Sequence, residues 1–308
     1  MRMGQMTRVR QQMTLTLAMV LAISLVTAPA AMATSRPSTE SAVTYYLALG
    51  DSLSVGYQQG SPTDKGYVDD LYDTLKAGQP GLELMNLGCP GESTTTMING
   101  KCPYQLANPK YKPYDTGSQL GDAKKFIKDH PGQIRYITIT IGSNDVLHSS
   151  TPPYESCVDP VAGIIPACAL AGISDVHHNL PTILQPLREL TGRKALRAGM
   201  TYYDPYLAAW LKGEAGQALA KQSLTFINLL NSVLAIGYLG DRFRVAPVSF
   251  AFRTNNFALQ DFPPIGKVPT NVVNICTYTL MCEFGDIHAN DLGYEKIADV
   301  FAKTFGRW

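Results

Sequence analysis

The sequence predicts an α/β fold, in which a parallel sheet of about five strands is flanked by helices. Five short segments of apolar, aromatic or β-branched residues alternate with segments whose apolar residues recur at helical spacing. Alternation of this kind produces a parallel sheet with helices packed on it. Polar residues and glycines follow several of the strand segments directly, and open α/β sheets bind their ligands at the carboxyl ends of the strands.

The strand segments are predicted from their composition. Residues 45–49 are apolar or aromatic throughout, which is typical of a strand buried on both faces, and Gly50 ends the segment. Residues 134–141 are mostly β-branched and apolar, which also favours a strand. The predicted strands are residues 45–49, 82–87, 134–141, 195–203 and 243–250.

The helices are predicted from apolar residues that lie three and four positions apart. The segment 176–190 contains Pro181 and Pro186, which are unfavourable inside a helix and could split it. Asn290 is a good N-cap for a closing helix. The predicted helices are residues 67–75, 123–128, 176–190, 215–238 and the segment after Asn290, and residues 100–118, 150–172 and 252–283 are predicted to be irregular.

The N-terminus has the pattern of a secretory signal peptide. A basic segment precedes an apolar run at residues 15–26, and Ala31-Met32-Ala33 gives the small-x-small pattern of a cleavage site. We therefore predict a cleaved signal peptide at residues 1–33, a disordered lead-in at residues 34–43 and one domain at residues 44–308. The apolar run is shorter than the roughly 20 residues of a spanning helix, so a retained anchor is the weaker alternative. The expected location is outside the cell.

The charge composition limits the classes of partner that the protein is expected to bind. The chain has 26 basic and 25 acidic residues and no block of lysine or arginine, which argues against a nucleic-acid partner. We expect a mature monomer without a stable membrane span.

Six cysteines follow the proposed leader as three close pairs. In an exported protein an even set is interpreted as disulfides, and local pairs close short loops. A zinc site is the alternative, but the sequence has no C-x-x-C and no histidine near the first two pairs. The predicted pairs are Cys89 with Cys102, Cys157 with Cys168, and Cys276 with Cys282.

Residues with the chemistry of acyl transfer lie beyond the predicted strands. Ser52 is a candidate nucleophile, which needs a neighbouring base such as His288, and Asp286 is the nearest carboxylate that could orient that base. The N–H of Gly91, the side-chain amide of Asn144 and the N–H of Ser52 are candidate donors to an oxyanion. The carboxyl ends of parallel strands share one edge, so these residues are expected to converge.

Four motifs, in this order, resemble those of the GDSL or SGNH hydrolase family of secreted lipases and esterases. The resemblance implies a flavodoxin-like three-layer α/β/α sandwich without a metal or an organic cofactor. It also implies that Ser52 is the nucleophile, that Gly91 and Asn144 form the oxyanion hole, and that His288 is the base. The motifs are Gly-Asp-Ser-Leu at residues 50–53, Asn-Leu-Gly-Cys-Pro-Gly at 86–91, Gly-Ser-Asn-Asp at 142–145 and Asp-Ile-His at 286–288.

The last motif departs from the family pattern in two ways. The aspartate usually lies three residues before the histidine, where this chain has Gly285, and Ala289 replaces the proline that usually follows. Asp286 is predicted to orient His288, and a backbone carbonyl near Gly285 is the alternative.

The expected function is hydrolysis of a carboxylic ester with an apolar acyl group, on a small-molecule or lipid substrate. Residues 164–166, Phe250, Phe252, Phe257 and residues 262–265 could form an apolar wall for the acyl chain, or could simply pack the loops. A polysaccharide deacetylase and an acyltransferase are alternatives with the same site. A catalytically silent binding protein on the same scaffold is an alternative of another class.

Overall fold

A five-stranded parallel sheet forms the centre of the structure, a computed structural model that describes residues 43–149, 155–159 and 163–306. The proposed signal peptide at residues 1–33, and the proposed lead-in except for Val43, lie outside the described residues. The sheet strands are β1 (Thr44–Gly50), β2 (Leu82–Asn86), β3 (Ile134–Thr140), β6 (Leu196–Met200) and β7 (Arg244–Ala246). Two small antiparallel pairs are formed by β4 (Val158–Asp159) with β5 (Gly163–Ile164), and by β8 (Leu259–Phe262) with β9 (Gly266–Pro269).

The order of strands in the sheet is β2-β1-β3-β6-β7, and every neighbouring pair is parallel. This is the flavodoxin-like order, in which the direction of winding reverses between β1 and β3. A crevice opens at such a point, beyond the carboxyl ends of the two strands. The topology therefore places the loops after β1 and β3 on either side of the expected ligand crevice.

Helices cover both faces of the sheet. One group of helices contains α1 and α11, which pack against each other, and the other group packs around α6 and α7. With the sheet between them, the fold has three layers. The helices are α1 (Tyr67–Ala77), α2 (Thr94–Asn99), α3 (Pro103–Ala107), α4 (Gln119–Asp129), α5 (Ser143–Leu147), α6 (Pro166–Thr191), α7 (Glu214–Gly240), α8 (Val248–Ala251), α9 (Thr270–Tyr278), α10 (Met281–Phe284) and α11 (Asp291–Thr304), with short 3₁₀ helices at Ser52–Val55 and Pro205–Lys212.

The core lies where these layers meet the sheet. Leu47 and Leu49 of β1 and Ile137 and Ile139 of β3 are completely buried, as expected for strands covered on both faces. The continuous apolar run that precedes the first motif is therefore part of the core, and Gly50 ends it at the carboxyl edge of the sheet.

Several predicted boundaries were wrong for identifiable reasons. The last strand was predicted at residues 243–250, but β7 ends at Ala246 because Pro247 lacks the N–H that a ladder needs, and α8 follows. Helix α6 begins at Pro166, well before the predicted start, and continues past Pro181 and Pro186. Its apolar residues, such as Ile183 and Leu187, are buried, whereas Pro181 is exposed. The packing of these residues outweighs the tendency of the prolines to break the helix.

The segment 252–283, predicted to be irregular, contains the β8–β9 hairpin and helices α9 and α10. Among the described residues, one helix, α7, is long and apolar enough to cross a membrane by length and composition alone. It packs along α6 and the Pro205–Lys212 helix, and part of its apolar surface faces the cavity described below.

Candidate active site

Ser52 lies directly beyond the end of β1 because Gly50 allows the chain to turn there. Gly50 has φ of +140°, and a Cβ on it would lie 2.2 Å from Oγ1 of Thr140. Only glycine fits this close approach. Asp51 then caps the short 3₁₀ helix that begins at Ser52, its Oδ1 accepting a 3.0 Å hydrogen bond from the N–H of Leu53. The sequence therefore presents the Ser52 hydroxyl at the carboxyl edge of the sheet.

His288 contacts Ser52 across most of the length of the chain. Its Nε2 lies 2.9 Å from Ser52 Oγ, and its Nδ1 lies 2.5 Å from Asp286 Oδ1. An ionised carboxylate only accepts hydrogen bonds, so Nδ1 carries the proton in the neutral ring. Nε2 is then the acceptor and faces the serine hydroxyl. This is the hydrogen-bonded order of a serine nucleophile, a base and an orienting acid.

Asp286 is ionised over the whole ordinary pH range. Partial burial raises the pKa of this carboxyl, but hydrogen bonds from the His288 ring, the charge of that ring and the N–H groups of His288 and Gln59 outweigh it and lower the pKa to about 2. The Gln59 N–H donates to Oδ2 at 2.9 Å. The carboxylate reaches Nδ1 although it stands one residue closer to the histidine than the family pattern places it.

The loop that carries His288 is fixed at several points. The Tyr203 hydroxyl donates to the carbonyl of Ile287 at 3.0 Å, and the N–H of Leu280 donates to the carbonyl of His288 at 2.9 Å. The ring of Tyr57 lies 4.8 Å from the imidazole, centroid to centroid. These contacts fix the backbone at Ile287 and His288 and pack a ring against the imidazole.

Gly91 lies on the loop after β2, Asn144 lies in the short helix α5 that follows β3, and both line the same cavity as Ser52. Gly91 has φ of +81°, in the region that favours glycine, and it lines the cavity. Asn144 Nδ2 donates to the carbonyl of Glu92 at 3.0 Å. This contact uses one amide hydrogen and leaves the second for a ligand. All four residues that the family resemblance assigned, Ser52, Gly91, Asn144 and His288, line the same cavity.

Asp51 links three of the loops under the site. Its completely buried carboxyl accepts from the Tyr202 hydroxyl at 2.6 Å, from Thr140 Oγ1 at 3.1 Å and from Ser143 Oγ at 3.2 Å. Burial raises the pKa of Asp51, against the effect of these hydrogen bonds. No role was predicted for Asp51 from the sequence, although it directly precedes Ser52.

The cavity beside Ser52 has a volume of about 420 Å³, within the range of roughly 300–1,000 Å³ for small-molecule sites. Much of its wall is apolar and comes from α5, from the β4–β5 pair and from the middle of α7. These segments contribute the apolar residues Val146, Leu147, Val158, Ile164, Phe226, Ile227 and Leu230.

The apolar wall predicted from sequence is only partly the wall of the structure. Ile164 lines the cavity, whereas Phe250 is 84% exposed and Phe252 is buried in the core. Phe257 packs against Trp210, with ring centroids 5.6 Å apart. The main wall comes from α7, whose apolar residues the sequence indicated only as a helix stripe.

Two titratable residues in the cavity wall were not predicted. His148 lines the cavity, and burial lowers its pKa. Asp204 also lines it and is buried, its carboxyl accepting from Ser223 Oγ at 2.8 Å and from the N–H of Tyr206 at 3.0 Å. Burial raises the pKa of Asp204 to about 7, although both hydrogen bonds act in the opposite direction.

The six cysteines form three disulfides, Cys89–Cys102, Cys157–Cys168 and Cys276–Cys282. The first closes a segment that contains Gly91, and the last precedes the loop of His288. Within the described residues one cluster has metal-ligand geometry, Cys89 with Glu92 and Cys102. Its two sulfurs are bonded to each other and are not thiolates, so the group does not fit a metal.

Comparison with known proteins agrees with the fold. The family model for GDSL-like lipases and acylhydrolases matches residues 46–301. A putative GDSL-like lipase from Parabacteroides merdae ATCC 43184 aligns with 14% identity and a TM-score of 0.50, over 86% of this chain and 96% of that one. No match was found among curated proteins.

Two further solved structures are similar at lower scores. LAE5, an α/β hydrolase from the metagenome of Lake Arreo, Spain, has 16% identity and a TM-score of 0.49, over 86% of this chain and 96% of its own. An acetyl xylan esterase from Geobacillus stearothermophilus has 15% identity and a TM-score of 0.47, over 86% of this chain and 95% of its own.

The flavodoxin-like sheet carries the serine–histidine–aspartate contacts at its carboxyl edge. Since the family model spans most of the sequence, the chain belongs to the family of GDSL-like lipases and acylhydrolases, as its motifs predicted.

Proposed function

We propose that the protein is a secreted serine hydrolase that cleaves carboxylic esters through an acyl-enzyme on Ser52. The observation that supports it most is the unbroken contact from Asp286 through His288 to the Ser52 hydroxyl, at 2.5 and 2.9 Å. Three disulfides support export, because disulfides persist in oxidising compartments.

In the proposed mechanism His288 Nε2 takes the proton of Ser52 Oγ as the oxygen attacks the ester carbonyl carbon. The tetrahedral oxyanion then faces the N–H groups of Ser52 and Gly91 and the free amide hydrogen of Asn144. His288 returns the proton to the leaving alkoxide, the ester C–O bond breaks, and a water activated by His288 later releases the acid. Each oxyanion donor is worth roughly 100- to 1,000-fold in rate.

Asp286 holds the imidazole in the tautomer that this mechanism needs. Replacing Asp286 with asparagine is expected to lower kcat by about 100- to 10,000-fold, because an amide can donate to Nδ1 and favour the wrong tautomer. The test is to measure kcat for Asp286→Asn and for the native chain on the same p-nitrophenyl ester. A native kcat in the variant would mean that a backbone group, and not Asp286, orients His288.

The apolar cavity wall supports an apolar acyl group as substrate. Each buried methylene contributes about 0.8 kcal/mol, or roughly fourfold in kcat/KM. We expect kcat/KM on p-nitrophenyl esters to rise from acetyl to medium chain lengths and to level off once the cavity of about 420 Å³ is filled. If acetyl is the best substrate, the acyl-chain part of the proposal is wrong and a deacetylase is favoured.

Asp204 makes this preference dependent on pH. Burial raises the pKa of Asp204 to about 7, so the carboxyl is neutral below that pH and becomes an anion in an apolar wall above it. We expect the ratio of kcat/KM for octanoyl and acetyl esters to fall as the pH rises from 6 to 8. A group whose protonation changes both rates equally cancels in the ratio.

The variant Asp204→Asn separates this effect from others. It keeps an acceptor for Tyr206 and Ser223 but does not ionise, so its ratio is expected to stay constant between pH 6 and 8. His148, another wall residue with a shifted pKa, is still present in this variant. A ratio that still falls in Asp204→Asn would assign the pH dependence to another group.

A further inference from the structure

Glu92 is a buried acid that, like Asp204, lies outside the four sequence motifs. It lies where the segments that form the site meet. Glu92 follows Gly91 in sequence and is completely buried. Its Oε2 accepts from the Tyr114 hydroxyl at 2.5 Å and from Gln119 Nε2 at 2.8 Å. Its backbone carbonyl accepts the amide of Asn144. One residue therefore contacts both the loop after β3 and the helix α4.

Gln119 passes this connection to the nucleophile loop. Its side-chain amide pairs with the backbone of Gly50 in both directions, the N–H of Gly50 donating to Oε1 at 2.6 Å and Nε2 donating to the carbonyl at 3.0 Å. Gly50 stands two residues before Ser52. The same carbonyl of Gly50 accepts from the N–H of Cys89 at 3.0 Å, which ties it again to the loop of Gly91.

Two other buried acids link the remaining pairs of loops. Asp145, next to Asn144, accepts from the N–H of Thr94 at 2.9 Å and from its hydroxyl at 2.5 Å, which joins α5, in the connection after β3, to the start of α2, in the connection after β2. Asp51 joins the loop after β1 to Thr140 and Ser143. With Glu92 joining the loop after β2 to Gly50, the three acids connect the three loops in a closed ring.

We propose that Glu92, acting through Gln119, is a positioning residue that sets the oxyanion hole against the nucleophile. The proposal rests on the proposed function of Ser52. Glu92 does not face the cavity and touches no reacting atom. It fixes the distance between the loop that carries Gly91 and the loop that carries Ser52, and its carbonyl directs the amide of Asn144. Loss of this link should raise the energy of the oxyanion without changing how the ester binds.

The surroundings of Glu92 favour its neutral form. Burial raises its pKa to about 7, against the hydrogen bonds from Tyr114 and Gln119, which lower it. Its Oε1 is buried and has no hydrogen-bond partner among the described residues. Glutamine has the shape of the neutral acid and can accept from the same two donors, whereas leucine has a similar volume and accepts from neither. The two substitutions therefore separate the hydrogen bonds from the packing.

The test compares Glu92→Leu, Glu92→Gln and Gln119→Leu with the native chain on a short p-nitrophenyl ester. We expect Glu92→Leu and Gln119→Leu to lower kcat by about 100-fold with KM within about twofold, the size of losing one oxyanion donor. Glu92→Gln should retain kcat within about threefold. Gln119→Leu provides the same readout if Glu92→Leu does not fold.

Asp241→Asn is the matched control, because Asp241 is another buried acid whose contact is structural. Its Oδ1 pairs with Arg188 at 3.3 Å, just before β7 and thus at the opposite edge of the sheet. We expect this variant to lower the melting temperature and to keep the native kcat. If Glu92→Leu and Gln119→Leu behave like the control, or if Glu92→Gln loses as much kcat as Glu92→Leu, the positioning role is wrong.

The activity of Ser52→Ala distinguishes failure of the inference about Glu92 from failure of the proposed function. If Ser52→Ala abolishes hydrolysis while Glu92→Leu and Gln119→Leu keep the native kcat, the inference about Glu92 fails alone. If Ser52→Ala keeps hydrolysis, the proposed function itself fails.

Discussion

Replacing Ser52 with alanine is expected to lower kcat by roughly 10⁴- to 10⁶-fold, the largest effect of any single substitution in this chain. The hydroxyl removed is the one 2.9 Å from His288 Nε2, and no acyl-enzyme can form without it. The cavity and the oxyanion donors remain, so a small residual rate above that of water is expected. The measurement is kcat on a p-nitrophenyl ester of the variant and the native chain.

Ser54→Ala is the matched control for this substitution. Ser54 belongs to the same short 3₁₀ helix and is buried, its hydroxyl donating to the carbonyl of Asp51 at 2.7 Å. Its loss should cost stability and only a small part of kcat. Similar rates in Ser52→Ala and the native chain would show that another group is the nucleophile.

Replacing His288 with alanine is expected to lower kcat by a similar factor of about 10⁴- to 10⁶-fold. The imidazole is the one base within hydrogen-bond reach of Ser52 Oγ in the described residues, and the serine hydroxyl is a weak nucleophile without it. Because the two residues act as a unit, the double variant of Ser52 and His288 should lose little more than either single variant. Kinetics of the three variants on one ester test this non-additivity.

His148→Ala is the control for the second substitution. His148 lines the same cavity but has no hydrogen bond to Ser52, and we expect it to change KM more than kcat. Losses in the double variant that multiply, instead of coinciding, would mean that His288 and Ser52 act independently.

Much of the fold could be predicted from the sequence, because the composition of a segment indicates whether it forms a buried strand. The run at residues 45–49 and the β-branched run at 134–141 became β1 and β3, and parallel pairing brings their carboxyl ends together. For this reason Ser52, Asn144 and His288 could be expected at one edge although they are far apart in the chain.

The contacts around the site could not be predicted in the same way. The link from Glu92 through Gln119 to Gly50 depends on where α4 begins, and the role of Asp204 depends on how α7 packs over it. Spacing along the chain does not encode such contacts between distant segments. The phenylalanines of residues 250–257 were candidates for the wall or for packing of the loops, and hydrophobicity alone does not distinguish an exposed ring from a buried one.

The measurement that tests the central claim most directly is labelling of the native chain with a fluorophosphonate, followed by intact mass and peptide mapping. The proposed mechanism predicts one adduct per chain, located on Ser52, absent in Ser52→Ala and much slower in His288→Ala. An adduct on another residue, or an unmodified Ser52 in a chain that still hydrolyses esters, would contradict it.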